Sequence, residues 1–359
     1  MGFRTHLCTY AIGDSLQQVE ESRIFSIPFY DKKGVGFSPF KIPADVLLFF
    51  LALKVTFQTH PKILYGHLHE GGAIAFAIAI LLFWRKIYVV MDAQGSLSGE
   101  LAAYDTIKKN SISYRIIKLI EAMIVKMPRH ITCSSRPCME IVNGEFSIPK
   151  SRTSVCLDIV GAHFFQTSRN SPSRSSLGLP ENVPLVIYTG SLLEGKGLTE
   201  LREAMEFSLN SLDPLHFALI GYPVEQVEGF LKSQGLLSRV TLLGEQDYFK
   251  LQEFLFVSDL AVDPKLADSG EASGKILHYM AAGLPVVCFD TANNQSLLPA
   301  NNFLCQHHDG GALGRSIVAA LKETQEKRIN IGELNRKYII DHHTESQCMD
   351  VLTRAFANS

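Results

Sequence analysis

Two stretches in the second half of the sequence combine residue types and spacing suited to an anionic ligand. The first, Tyr188-Thr-Gly-Ser-Leu-Leu-Glu-Gly-Lys-Gly197, follows an apolar run and precedes an amphipathic one. Gly190 and its partners at 195 and 197 let backbone amides approach a ligand closely, and Lys196 supplies a point charge matched to a diphosphate. The glycine spacing is neither the dinucleotide-binding fingerprint nor a P-loop, and an ordinary exposed loop lysine has the same local appearance. The second stretch, DSGEASGKILHYMAAGLPVV, runs from Asp268 to Val287. Its turn through Glu271, Ala272, Ser273, Gly274 and Lys275 opens a helix whose unpaired amides and positive dipole end suit a pyrophosphate. The Glu271 carboxylate can accept hydrogen bonds from sugar or ribose hydroxyls.

The first half holds a second cluster, Leu64-Tyr-Gly-His-Leu-His-Glu-Gly-Gly72. Strand alternation puts His67 and His69 on one face at the strand's end, with Glu70 and two glycines opening the next helix. Metal ligation by these residues lacks a well-placed third ligand, and structural histidines closing the strand are the plainer reading. Farther on, Asp92 and Gln94 in Met91-Asp-Ala-Gln-Gly-Ser-Leu-Ser-Gly-Glu100 bring a carboxylate and an amide to the end of a buried strand. Such groups recognise polyhydroxylated ligands, whereas helix capping by Ser96 or Asp92 is the simpler alternative.

The elements that must position these residues alternate between strand-length apolar runs and helix-length amphipathic segments, the pattern of an α/β protein with parallel sheets. Strands are expected at 4–10, 63–67, 87–91, 130–134 and 153–158, then at 185–189, 216–220, 240–243, 260–262 and 285–289. Helices are expected at 44–58, 71–83 and 113–125, then at 198–208, 225–233, 248–256, 274–282 and 310–322, with helical periodicity again over 331–357. Between the halves, QTSRNSPSRSSLGLPENVP from Gln166 to Pro184 replaces the apolar rhythm with serine, proline and arginine, so a packed element is not expected there. The domain plan is therefore 1–167, a linker 168–184, a second domain 185–340, and a terminal helix 341–359 bracing the two.

A length of 359 residues exceeds a single ordinary core. With 46% hydrophobic and 19% charged residues and a mean hydropathy of +0.10, the composition is that of a globular chain. The greasiest run, Ala73 to Trp84, is too short to span a bilayer and is expected to pack on a sheet. Seven scattered cysteines show neither a disulfide framework nor a zinc module, which points to a reducing, cytoplasmic setting. The net charge of −2 conceals an asymmetry, for residues 1–167 carry +5 and residues 168–359 carry −7. Nucleic acid is not an expected partner, but a basic first half suits an anionic membrane surface or a phosphorylated acceptor. Basic residues from Lys108 to Arg129 interleave with isoleucines and leucines, as in an amphipathic helix docked on its own sheet, or one lying on anionic lipid.

Both motif segments in the second half resemble the donor-site motifs of family 4 (group 1) glycosyltransferases, retaining enzymes built from two Rossmann-like domains that face a cleft, the GT-B architecture. Thr189–Leu198 matches the glycine-to-lysine-glycine motif, and Gly270–Val287 matches the glutamate motif with its Tyr-Met-Ala-Ala-Gly-Leu-Pro run. Leu219–Tyr222, Leu243–Glu245 and Val257–Pro264 follow in the family's order. The resemblance implies catalytic roles for Lys196 on the donor phosphates, Glu271 on the transferred sugar and His69 at the reacting sugar or acceptor. It implies a donor site of Gly190, Ser191, Lys196, Glu271, Ala272, Ser273, Gly274, Lys275 and His278, and an acceptor site of His67, Glu70, Asp92 and Gln94. Three departures stand out. Ser191 replaces the family's usual arginine, and His278 replaces the glutamate that normally holds the ribose, one residue nearer to Glu271. The family's first strand and glycine-rich loop are expected to be missing, because MGFRTHLCTY resembles its second strand.

The expected reaction is transfer of a sugar from a nucleoside-diphosphate sugar to a hydroxyl of a glycan or lipid-linked acceptor, with retention and with no metal or cofactor. Peripheral contact with the inner face of the membrane is the accompanying expectation. Two alternatives share the architecture: a sugar-nucleotide-binding or scaffold protein without turnover, and a sugar-nucleotide epimerase.

Overall fold

A computed structural model describes residues 4–13, 15, 19–27, 38–103, 106–109, 111–165, 172–266, 270–271, 273–299 and 302–357. The chain divides into two units. Unit 1 comprises Met1–Cys156, Ser269–Glu271 and Met349–Ser359; unit 2 comprises Leu157–Asp268 and Ala272–Cys348.

Unit 1 holds a parallel pair, β1 (His6–Thr9) and β2 (Glu20–Arg23), and a parallel four-stranded sheet in the order β3-β4-β5-β6. These strands are β3 (Ile63–His67), β4 (Tyr88–Ala93), β5 (His130–Cys133) and β6 (Thr153–Val155). Every residue of β4 is buried, as a run of apolar residues covered on both faces demands. Helix Leu68–Leu81 lies against β3 and β4 and touches helices Lys41–Thr59 and Ile112–Lys126. Its close seat depends on Gly66, whose Cβ would stand 2.3 Å from the Gly71 carbonyl oxygen.

Unit 2 holds six parallel strands: β7 (Leu185–Thr189), β8 (His216–Ile220), β9 (Val240–Gly244), β10 (Leu260–Asp263), β11 (Val286–Phe289) and β12 (Phe303–Cys305). Their order is β12-β11-β10-β7-β8-β9. The chain runs outward from β7 in one direction, then returns to start again beside it at β10, and such a reversal is where open α/β sheets bind ligands. One core layer unites Val186, Tyr188, Phe217, Leu219 and Val262 with Leu198, Leu201 and Met205 of helix Leu198–Ser211. The other unites Leu185, Ile187 and Ala261 with Ile276, Tyr279 and Met280 of helix Gly274–Ala281. Both helices place apolar residues three and four apart, as a buried stripe requires.

Several sequence expectations need correction. Residues 172–184 are tied down at Arg174, which donates to the carbonyls of Val257 and Val183 at 2.7 Å each and to Asp259 at 2.9 Å, and at Leu179, the buried residue of a segment otherwise partly or fully exposed. A guanidinium with five fixed donors thus fastens a polar segment that carries little apolar area of its own. The element expected over 248–256 begins as a 3₁₀ turn, Tyr248–Lys250, before helix Leu251–Phe256. Helix Ile112–Lys126 buries only Glu121 and Val125 while Ile112, Ile116 and Leu119 are exposed. The division between units falls at Cys156, ahead of the serine-rich segment.

Candidate functional site

In unit 1, β3 ends at His67, which caps helix Leu68–Leu81 in an extended conformation. Leu68 follows at φ 60°, a left-handed conformation that costs a residue with a Cβ about 1–2 kcal/mol. His67 is exposed, and its Nδ1 lies 3.2 Å from Asp92 Oδ2. Gln94 donates to the same oxygen at 2.7 Å, and Thr132 donates to Oδ1 at 3.2 Å. Burial alone would raise the Asp92 carboxyl, but donors from His67 and Gln94 outweigh it and hold it below the ordinary aspartate range.

His69 turns the other way. It is 6% exposed, with Nε2 3.4 Å from Oε1 of the fully buried Glu121. Glu121 also accepts from the amides of Leu97 at 2.7 Å and Ser98 at 2.9 Å. It therefore anchors the start of helix Leu97–Ala103, where Ser96 Oγ accepts from Gly99 N at 3.1 Å. The expectation that His69 reaches a sugar meets a side chain enclosed in the fold. Glu70 forms an ion pair with Lys41, so it ties two helices together. The described face of the cluster consists of His67, Asp92 and Gln94.

In unit 2, the two motif segments meet at the carboxyl end of β10. The turn Glu194–Lys196 closes at Gly197, φ 87°, and a Cβ there would stand 2.1 Å from the carbonyl oxygen of Pro264. One residue earlier, Asp263 accepts from Ser273 Oγ at 2.6 Å and pairs with Lys275 Nζ at 2.7 Å. The Lys196 turn and the entrance of helix Gly274–Ala281 thus rest on consecutive residues. Lys275 also fills the hollow beside Gly190, where a Cβ would stand 3.0 Å from its Cδ, and its ammonium lies 4.8 Å from the centre of the Tyr188 ring. Tyr279 completes the join by accepting from Thr189 N at 2.8 Å.

This network leaves the helix entrance available. Ser273 spends its hydroxyl on Asp263, and among the described residues no side chain caps the first amides of helix Gly274–Ala281. No described atom lies within 4 Å of where a Gly274 Cβ would be. Burial would push the Asp263 carboxyl up, but Lys275, Ser273 and Lys265 hold it below its ordinary range. Burial would likewise lower Lys275, yet Asp263 and the two tyrosines keep it firmly protonated. The result is a fixed, locally neutral base beneath an uncapped helix end.

Residues 183–323 match the family model described as glycosyl transferases group 1. No curated protein matches the chain by sequence. Solved structures extend the likeness to the architecture of the whole chain. Sucrose-phosphate synthase from Thermosynechococcus elongatus superposes with a TM-score of 0.77 at 14% identity, over 97% of this chain and 86% of that one. Anabaena Alr3699/HepE in complex with UDP and glucose gives 0.75 at 15%, over 95% and 87%. WaaG, a glycosyltransferase involved in lipopolysaccharide biosynthesis, gives 0.69 at 14%, over 98% and 90%. At these identities the likeness establishes the fold, which is GT-B.

Within the matched residues, Gly190, Ser191, Lys196, Ser273, Gly274 and Lys275 share unit 2. Glu271 groups with unit 1, where Ser135 Oγ donates to the neighbouring Gly270 carbonyl at 2.7 Å, and Ala272 lies outside the described residues. His278 is packed away. Its ring stacks on Phe164 with centroids 4.3 Å apart, and its Nε2 lies 3.2 Å from the Tyr248 hydroxyl. Sequence reasoning missed Asp263, Tyr188 and Tyr279. The signal for Asp263 was available, since a carboxylate closing an apolar strand just before a proline needs a buried partner.

Burial, aided by His163, pushes His278 down to about 4. A histidine with a depressed folded value stabilises the protein above its unfolded value, and that contribution is lost as pH falls through the interval down to the folded one. Unit 2 should therefore lose up to about 3 kcal/mol between roughly pH 6.5 and 4 through this group. Urea melts at several pH values test it. His278→Gln should flatten the dependence, and an unchanged slope would assign the titration elsewhere.

Proposed function

We propose that the chain transfers a sugar from a nucleoside-diphosphate sugar to a hydroxyl of a glycan or lipid-linked acceptor, with retention, in assembly of a bacterial polysaccharide or glycolipid. The observation that carries this reading is the seating of the Lys196 turn and the uncapped helix entrance on Pro264 and Asp263. A diphosphate placed there meets the Lys196 ammonium and the first amides of helix Gly274–Ala281, which no described side chain caps. Both stabilise the charge that grows on the departing group in the transition state, which accelerates the chemical step rather than only binding. The UDP bound to HepE and the involvement of WaaG in lipopolysaccharide biosynthesis support the donor class and the pathway class.

Unit 2 is thus the donor-binding half and unit 1 the acceptor-binding half. Glu271 contacts the transferred sugar, and His67, Asp92 and Gln94 contact the acceptor. His69 acts at one remove, through Glu121. All seven cysteines are free, which suits work in the cytoplasm.

Titration calorimetry with UDP and GDP tests the donor site. Lys196→Ala should weaken the better ligand roughly tenfold to a hundredfold, the range of one charge-assisted contact. Unchanged affinity would remove Lys196 from the site. Transfer of radiolabelled sugar tests turnover, and tight binding without transfer would favour the scaffold alternative, to which the substitutions at Ser191 and His278 lend weight.

A further inference from the structure

We propose that unit 1 docks on the surface of an anionic lipid leaflet, using the solvent side of helix Lys41–Thr59 and the adjoining turn Phe83–Arg85. The proposal is independent of the sugar chemistry.

The helix is long and apolar, with a mean hydropathy of 1.5, yet only 11% of that stretch is buried. A helix hydrophobic all round belongs in a core or in lipid. This one buries Ala44, Val55 and Thr56 and turns Ile42, Phe50 and Phe57 to solvent, each 57% exposed or more. Between it and the end of helix Leu68–Leu81 runs an apolar groove of about 520 Å³, lined by Phe50, Leu53, Phe57, Leu81 and Leu82. Phe83 and Trp84 stand beside the groove at 74% and 60% exposure. Arg85 joins the two parts, lying 4.6 Å from the Phe57 ring centre and donating to the Thr56 and Phe57 carbonyls at 3.0 and 3.2 Å. The groove and the aromatic turn are therefore one surface, and exposed apolar surfaces of this kind mark interaction sites.

Charge selects the occupant. Residues 46–91 contain Lys54, Lys62, Arg85 and Lys86 but a single acid, Glu70, which is already paired with Lys41. Cations bordering an aromatic and aliphatic surface complement anionic headgroups above an acyl interior. Lysine and arginine stems can lie on the apolar face while their heads reach phosphate. The helix lies in the interface rather than across it, because Asp45 is bonded to Tyr10 and the buried side remains fixed to the fold. Helix Ile112–Lys126 repeats the pattern. Ile112, Ile116, Leu119, Ile120 and Met123 form an exposed stripe at helical spacing, with Arg115 and Lys118 nearby.

Trp84 is the chain's single tryptophan, so its emission reports on this surface alone. Titration with vesicles of phosphatidylglycerol and phosphatidylethanolamine should shift the emission to the blue, and the protein should co-sediment. Pure phosphatidylcholine vesicles and 0.5 M salt should weaken both effects about tenfold. Phe50→Ser with Phe83→Ser, at exposed positions, should preserve circular dichroism and nucleotide affinity while reducing vesicle binding at least about tenfold. Lys54→Glu with Lys86→Glu should abolish the preference for anionic vesicles. The proposal is overturned by an unmoved emission without co-sedimentation, or by vesicle binding that both pairs of substitutions leave intact. It is equally overturned if light scattering shows a dimer that the serine substitutions dissociate while vesicles are ignored, which would make the surface a contact between copies.

Discussion

Asp263→Ala is expected to destabilise unit 2 by about 3–5 kcal/mol, the cost of leaving one member of a buried ion pair uncompensated. Asp263 is 1% exposed and is the carboxylate that Lys275, Ser273 and the Lys265 amide all address. Removing it leaves an ammonium in a site built for a neutral pair and frees the Ser273 hydroxyl from its partner. Urea denaturation measures the loss. The companion Asp263→Ala with Lys275→Met should recover much of it, since an apolar pair of similar volume avoids the stranded charge. A single-variant loss below about 1 kcal/mol would mean that water relieves Lys275, and the neutral base under the helix entrance would have to be abandoned.

The second large effect is expected at Gly197. Alanine there incurs about 1–2 kcal/mol for a left-handed conformation and a further penalty of about 1–3 kcal/mol for forcing atoms into a filled space, because the new methyl would stand 2.1 Å from the Pro264 carbonyl oxygen. The turn must lift away from β10 and take Lys196 with it, so diphosphate affinity should collapse along with stability. Gly235→Ala is the matched control, since φ is 68° but no atom lies within 4 Å of the new methyl. It should incur the conformational cost alone and leave binding untouched. Equal behaviour of the two variants would show that the seat on Pro264 does not position Lys196.

The frame of the molecule was legible wherever burial dictated residue type. β3, β7, β8 and helix Glu225–Ser233 lie where the sequence predicted them, because continuous apolar runs or a clean amphipathic period end at turn-forming residues. β2, written Glu-Glu-Ser-Arg, carries no such pattern and was missed. The histidine pair shows a subtler failure. Two-residue alternation holds only while the strand continues, but Leu68 turns into the left-handed region and a helix begins, so His67 and His69 point to different surroundings. The missing residue in the second motif gave no hint that His278 would stack on Phe164, a partner more than a hundred positions away. For helix Ile112–Lys126 the sequence left docking on its own sheet and contact with anionic lipid both open, because amphipathic spacing reveals a stripe without revealing what covers it.

The order of strands in unit 2 bears on how the protein is made. β7 and β10 are neighbours in the sheet, yet a nascent chain emerging from the ribosome delivers β7, β8 and β9 long before β10 and the helix opening at Gly274. Lys196 therefore waits without its seat until that later portion has been translated, and nucleotide cannot assist the earliest stages of maturation. Ligand-dependent protection from proteolysis should accordingly arise late and all at once, when β10 joins the open edge of β7.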